Sequence, residues 1–166
     1  MLEYPLLLVF PVAMAFAAAF DLFTMTIPNK VSMALVASFM VVAPLSGMPW
    51  PEIGVHIVTG AAVLLVGFGC FVRGWVGGGD AKLLAASVLW LGFDSLPQFL
   101  LTVGVLGGVL SITILMFRRI PDCFLKGPAW MVRLHDKNSG VPYGLAIAGA
   151  AMLMYPETRW FTALFA

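Results

Sequence analysis

Long apolar runs separated by short polar breaks dominate this chain. A helix needs about 20 apolar residues to cross a bilayer core. Six runs are candidates for such helices: residues 6–27, 31–45, 53–72, 80–93, 97–117 and 141–155. The fourth is short. The proline-rich stretch 44–51 reads as a tight connection. No internal repeat or low-complexity tract is apparent, and six spans leave no room for a separate soluble domain. The pattern predicts an all-α polytopic membrane protein with about six transmembrane helices, residues 1–166 forming one membrane-embedded domain.

Composition sharpens this picture. Of 166 residues, 61% are hydrophobic and 10% are charged, against about 25% charged in soluble domains. Mean hydropathy is +1.01. A soluble globule, a disordered chain and a disulfide-rich secreted module are all excluded. With a net charge of +1 and no large basic stripe, nucleic acid is not an expected partner; the lipid bilayer is. The two cysteines, Cys70 and Cys123, form no CxxC pair and read as free thiols. Ala15-Phe16-Ala17 resembles a signal-peptide cleavage site, yet no Lys or Arg precedes the run and the early charge is Glu3. A signal peptide needs a basic start, so this stretch reads as the first span.

Orientation follows the basic residues. Lys30 lies in the first connection, Arg73 with nearby Lys82 in the third, and Arg118, Arg119, Lys126, Arg133 and Lys137 in the fifth. Only Arg159 falls on the other side. The odd-numbered connections are therefore expected in the cytoplasm, and both termini on the opposite face.

Charges inside spans cost about 2.5–3.5 kcal/mol each on insertion scales and need a reason. Asp21 sits in the first apolar run, and Pro28-Asn29 is its natural stop. If Pro28 marks the interface, Asp21 lies about 10 Å below it. Asp80 opens the short fourth run, whose helix rises only about 21 Å. With Phe93-Asp94 at the far surface, Asp80 also lies about 10 Å inside the cytoplasmic face of a core about 30 Å thick. Two separate length arguments thus place both carboxylates at one depth. Gly77-Gly78-Gly79 precedes Asp80. Lacking side chains, the three glycines suggest close backbone approach or unusual conformations; the plainer alternative is a flexible loop with Asp80 as helix cap.

Two carboxylates sharing a site can hold a water, deprotonate it and protonate a leaving amide nitrogen. No metal, cofactor or covalent intermediate is required. His56 on the outer side and His135 in the large inner connection give poor support for a triad or a metal centre.

An acid in the first span followed by Ile27-Pro28-Asn29, then Gly77-Gly78-Gly79-Asp80-Ala81-Lys82-Leu83, resembles the type IV prepilin peptidases, intramembrane aspartyl proteases of the GxGD class. Val141-Pro142-Tyr143-Gly144 at the start of the last span also resembles that family. The short length most resembles the branch serving Flp (tight-adherence) pili. The resemblance implies a bacterial inner-membrane peptidase that removes the basic leader from prepilins, substrates with an apolar helical N-terminus, at the cytoplasmic face. It also implies that Asp21 and Asp80 are the catalytic pair. Larger members carry CxxC pairs and N-methylate the new terminus; this chain lacks those pairs, so peptidase activity alone is expected.

Asp80, at a helix start, is the expected base, and Asp21 its protonated partner. Gly77, Gly78, Gly79, Lys82, Pro28 and Asn29 are expected to support the site. Lys82 lies about 200° around the helix from Asp80; it either snorkels to the interface or tunes the acids. Pro28 and Asn29 are expected to shape the start of the second span, with Asn29 as its cap. The basic stretch 118–140 is a solvated loop, a surface-lying segment through Trp130, Met131 and Leu134, or a gate. A basic leader would be repelled there unless Asp122 or Asp136 compensates. The rival functions are a transporter or cation-binding subunit using the two acids, and a non-catalytic subunit of a pilus machine. A presenilin-like protease is disfavoured, because Asp21 follows Phe20 and no Pro-Ala-Leu triplet occurs.

Overall fold

The computed structural model describes residues 8–121 and 127–165. Glu3, the start of the first run, Asp122, Cys123 and Lys126 lie outside them. The described residues form helices only: α1 (Val9–Thr24), α2 (Asn29–Leu45), α3 (Trp50–Val72), α4 (Gly78–Leu91), α5 (Leu96–Phe117), α6 (Ala129–His135), α7 (Tyr143–Met154) and α8 (Arg159–Phe165), with a 3₁₀ turn at Tyr155–Glu157.

All six expected runs become helices, but among the described residues only α3 and α5 are long and apolar enough to cross a membrane by themselves. Both are largely exposed along their length, with Leu65, Val66, Leu101 and Val105 facing outward. A soluble core helix would bury such a surface. The other four are shorter than expected of spans, and their ends are set by local chemistry. The first helix stops at Thr24, before Pro28, because Met25 adopts a left-handed φ of 56° and its N–H bonds to the Asp21 carbonyl. The last run is cut at Met154 by the 3₁₀ turn. Two further helices, α6 and α8, lie where no span was expected.

The short α4 is the hub. It packs on α2, α3 and α7, while α1 and α5 each pack on α7. Residues 85–91 of α4 are buried without interruption, so no face of that segment is left for lipid. Small residues bring α3 close. A Cβ on Gly67 would stand 3.0 Å from the Ala81 Cβ, and one on Gly60 would stand 3.3 Å from the Ala85 carbonyl oxygen. Helices that lack a hydrophobic drive in lipid associate through such close contacts. On α1, Phe10, Met14, Ala17 and Asp21 form one buried stripe. The acid therefore continues the face that turns into the bundle.

The end of the bundle remote from Asp21 and Asp80 is aromatic. Phe39 lies 5.6 Å from the His56 ring and 5.9 Å from Trp90, and Trp90 lies 5.2 Å from Trp160. Trp90 Nε1 donates to the Leu35 carbonyl at 2.9 Å, and Trp160 Nε1 donates to the Trp90 carbonyl at 2.7 Å. His56 Nδ1 contacts the Leu89 carbonyl at 2.8 Å. It thus joins α3 to α4 and, with Glu52, Asp94 and Arg159, lines a pocket at that end of the bundle.

Candidate functional site

Asp21 leaves the buried stripe of α1 one turn before that helix ends. It is 5% exposed. A buried carboxylate needs hydrogen-bond donors. One is the backbone N–H of Gly144, in the first turn of α7, at 2.8 Å from Oδ2. A Cβ at Gly144 would stand 2.8 Å from that same oxygen and 2.7 Å from the Ile27 Cδ1. Only glycine lets the α7 backbone reach the acid. The Val-Pro-Tyr-Gly motif carried the family resemblance, but its role as donor to Asp21 was not legible in the sequence.

Asp80 is half-buried and comes from the N-terminal turn of α4. The helix begins at Gly78, with Gly77 as the N-cap. Asp80 is therefore the third helical residue, not the cap, and its carboxylate reaches back to the Gly77 N–H. This is the acidic half of a capping box. The glycines are needed for space rather than for unusual backbone angles, since all three lie outside the positive-φ set. A Cβ at Gly77 would meet Asp80 Oδ2 at 2.7 Å, one at Gly79 the Ile27 Cβ at 3.1 Å, and one at Gly78 the Phe71 ring at 3.2 Å. Gly78 and Gly79 are also helical, where a loop was the simpler expectation.

Both acids line a single cavity of about 370 Å³ with Met25, Thr26, Ile27, Asn29, Gly77–Gly79, Gly140 and Val141. Four of the eleven lining residues are glycine, so part of the wall is bare backbone. A cavity of this size can hold water beside the two carboxylates.

Asn29 does not cap α2. Pro28 occupies the cap position in extended conformation, without a side-chain cap bond. The Asn29 Oδ1 instead accepts from Lys82 Nζ at 2.9 Å. The reason is register: Asn29 is already helical, so its side chain is free to reach across to α4. Lys82 thus has a fixed partner on the cavity wall, beyond simple snorkelling.

The basic stretch 118–140 turns out to be fastened to the site. Arg118 donates to the carbonyls of Leu134, Ser139 and Gly140, each at 2.8 Å. Arg133 Nη1 donates to the Phe23 carbonyl at 2.9 Å, closing the end of α1, and Trp130 meets Phe23 edge-on at 5.7 Å. His135 is buried, with Nε2 2.8 Å from the Ile120 carbonyl oxygen. Sequence reasoning missed these two arginines as builders of the site. Carbonyls at helix ends do attract basic side chains, but which arginine reaches which carbonyl depends on tertiary placement.

Comparison with known proteins points one way. The chain is 28% identical over 150 residues to a prepilin leader peptidase/N-methyltransferase of Aeromonas salmonicida, covering 85% of this chain and 46% of that protein. A protein of the same name from Aeromonas hydrophila is 33% identical over 94 residues, covering 54% of this chain and 27% of that protein. The chain thus spans about half or less of the length of the curated relatives it matches. No solved structure matches it significantly. The profile of the type IV leader peptidase family matches residues 8–112. Because that match runs through both acid-bearing helices, from before Asp21 to beyond Asp80, this chain belongs to the type IV leader peptidase family.

Proposed function

We propose that this protein is an intramembrane aspartyl endopeptidase that removes the basic leader from type IV prepilins, Flp-type pilins being the expected substrates. The observation that carries the reading is the meeting of Asp21 and Asp80, distant in sequence, on one cavity walled by glycine backbone. Family membership and the printed names of the relatives support it. The N-methyltransferase part of those names is not carried over.

In the proposed reaction, a water held between the carboxylates attacks the scissile carbonyl carbon. Asp80 takes its proton, and the protonated partner, Asp21, delivers a proton to the amide nitrogen as the C–N bond breaks. The products are a leader carboxylate and a new pilin amino terminus. The Gly144 N–H fixes the Asp21 carboxylate, and the Gly77 N–H holds Asp80 in the helix turn. A dyad that shares one proton works as a unit.

The placement that fits this chemistry is six spans in a bacterial inner membrane, with both termini periplasmic. The acids lie at the end of the bundle where Lys30, Lys82, Arg118 and Arg133 gather, which agrees with a cytoplasmic site.

Co-expression with a pilin precursor, read by gel, tests the proposal. The wild-type chain is expected to shorten the precursor. Asp21→Asn and Asp80→Asn are each expected to reduce cleavage more than about 1,000-fold, with the protein still inserted and melting as before. Substantial cleavage by either variant defeats the dyad. A cation-binding subunit, the rival use of the same acids, would leave the precursor uncut even by wild type.

A further inference from the structure

Two apolar grooves run along opposite sides of α3. One, of about 890 Å³, lies on the side of α5 and includes Ala62, Val66 and Leu100 in its lining. The other, of about 660 Å³, lies between α2 and α3 with α4 as its floor, and includes Met33, Met40, Ala61 and Leu64. The larger groove shares no lining residue with the acid cavity. The smaller one does: Asn29 lines both, and Lys82, bonded to Asn29, stands at the same junction. The α2–α3 groove therefore meets the acid cavity at Asn29, whereas the larger groove approaches it through Val76 and Ala81, the chain neighbours of Gly77 and Asp80.

The lining supplies a second observation. The floor of the smaller groove includes Gly60, Ala85 and Ala86 beside Leu89, and small residues let a guest helix approach closely. From Asn29 to Met40 the groove follows about 16 Å of α2, or three turns of a guest helix.

We propose that the groove between α2 and α3 is the docking site for the apolar helix of the substrate. The chain leading out of that helix passes Asn29 and crosses the side-chain-free start of α4 at Gly77–Gly79 to reach Asp21 and Asp80. The three glycines then serve a second purpose, as the sill over which the scissile segment lies. This inference rests on the peptidase reading and adds where the substrate sits.

Neighbouring residues on α3 provide the test, because Ala61 points into the α2–α3 groove and Ala62 into the larger one. With the full chain in membranes and a pilin precursor that wild type cleaves, Ala61→Trp is expected to slow cleavage at least tenfold. Ala62→Trp is expected to stay within twofold. Equal slowing of both, or slowing by Ala62→Trp alone, overturns the assignment. A second measurement is independent of turnover and of how well the tryptophan variants fold. In the Asp80→Asn background, a benzophenone side chain is placed at Met40 or at Leu100, which are 44% and 43% exposed. Capture of the precursor from position 40 and not from 100 supports the docking site. Capture from 100 instead, or of only lipid or a second copy of this chain from 40, overturns it. Cleavage of the precursor by Asp80→Asn itself would count against the aspartyl mechanism and leave the groove to be judged by capture.

Discussion

The two ends of the bundle are built from opposite materials. At the aromatic end Phe10, Phe39, Trp90 and Trp160 are fully or almost fully buried, and two indole N–H groups are locked onto carbonyls of neighbouring helices. At the acid end the walls are glycine and short side chains, and the contacts are backbone N–H to carboxylate or guanidinium to carbonyl. Large rings fill space and fix helix positions. Backbone donors fill little space but fix the orientation of an acid. The fold thus keeps its stabilising mass away from the two acids. The difference makes a clear statement: changes at the ring end should move stability, and changes at the acid end should move activity.

The strongest test of that division is Trp90→Ala. Removing a fully buried indole is expected to lower stability by about 3–5 kcal/mol, read as a drop in thermal melting in detergent. Cleavage per folded molecule should stay within about twofold. A large loss of specific activity would show that the ends are coupled. Next in size is Gly144→Ala. Its Cβ falls 2.8 Å from Asp21 Oδ2, so the acid or α7 must shift. Specific cleavage is expected to fall about 100-fold, or about 2.7 kcal/mol, with a melting shift much smaller than that of Trp90→Ala.

Arg118→Gln follows. It breaks three bonds to carbonyls that hold the segment leading into α7. About a tenfold loss in kcat is expected, with Lys restoring part of it; unchanged kcat would reduce Arg118 to a surface tie. The smallest effect is expected from Met25→Gly. Met25 holds a left-handed φ of 56° on the cavity wall, which costs a side chain about 1 kcal/mol. Glycine should raise stability by up to about 1 kcal/mol and barely alter cleavage. A loss as large as that of Gly144→Ala would mean that the Met25 side chain contacts substrate.

Much of the acid end was legible in the chain itself. Span length placed Asp21 and Asp80 at one depth, and they do line one cavity. The stripe Phe10, Met14, Ala17 and Asp21 carries the direction of the first acid at helical spacing. What stayed hidden is whatever depends on atoms brought together by tertiary packing. The Asn29 side chain reads as a cap in sequence, yet it answers to Lys82 more than fifty residues later. The three glycines read as a sign of close backbone approach or of unusual conformations; the first holds, but that the close partners are Asp80, Phe71 and Ile27 could not be read from the chain. The aromatic end was almost invisible, because Trp90 lies in the fourth run and Trp160 beyond the sixth, and nothing in their spacing announces that they touch.

The shortness of α4 has an effect on its surroundings. Its 14 residues rise about 21 Å, against about 34 Å for the 23 residues of α3 beside it. Gly67 faces Ala81 and the His56 ring reaches Gly92, so the excess length of α3 falls mainly at the aromatic end, between Trp50 and His56. At the other end Gly78, the first residue of α4, lies against Phe71, one residue before the end of α3, so the two helices finish together and Asp80 sits within one turn of that shared rim.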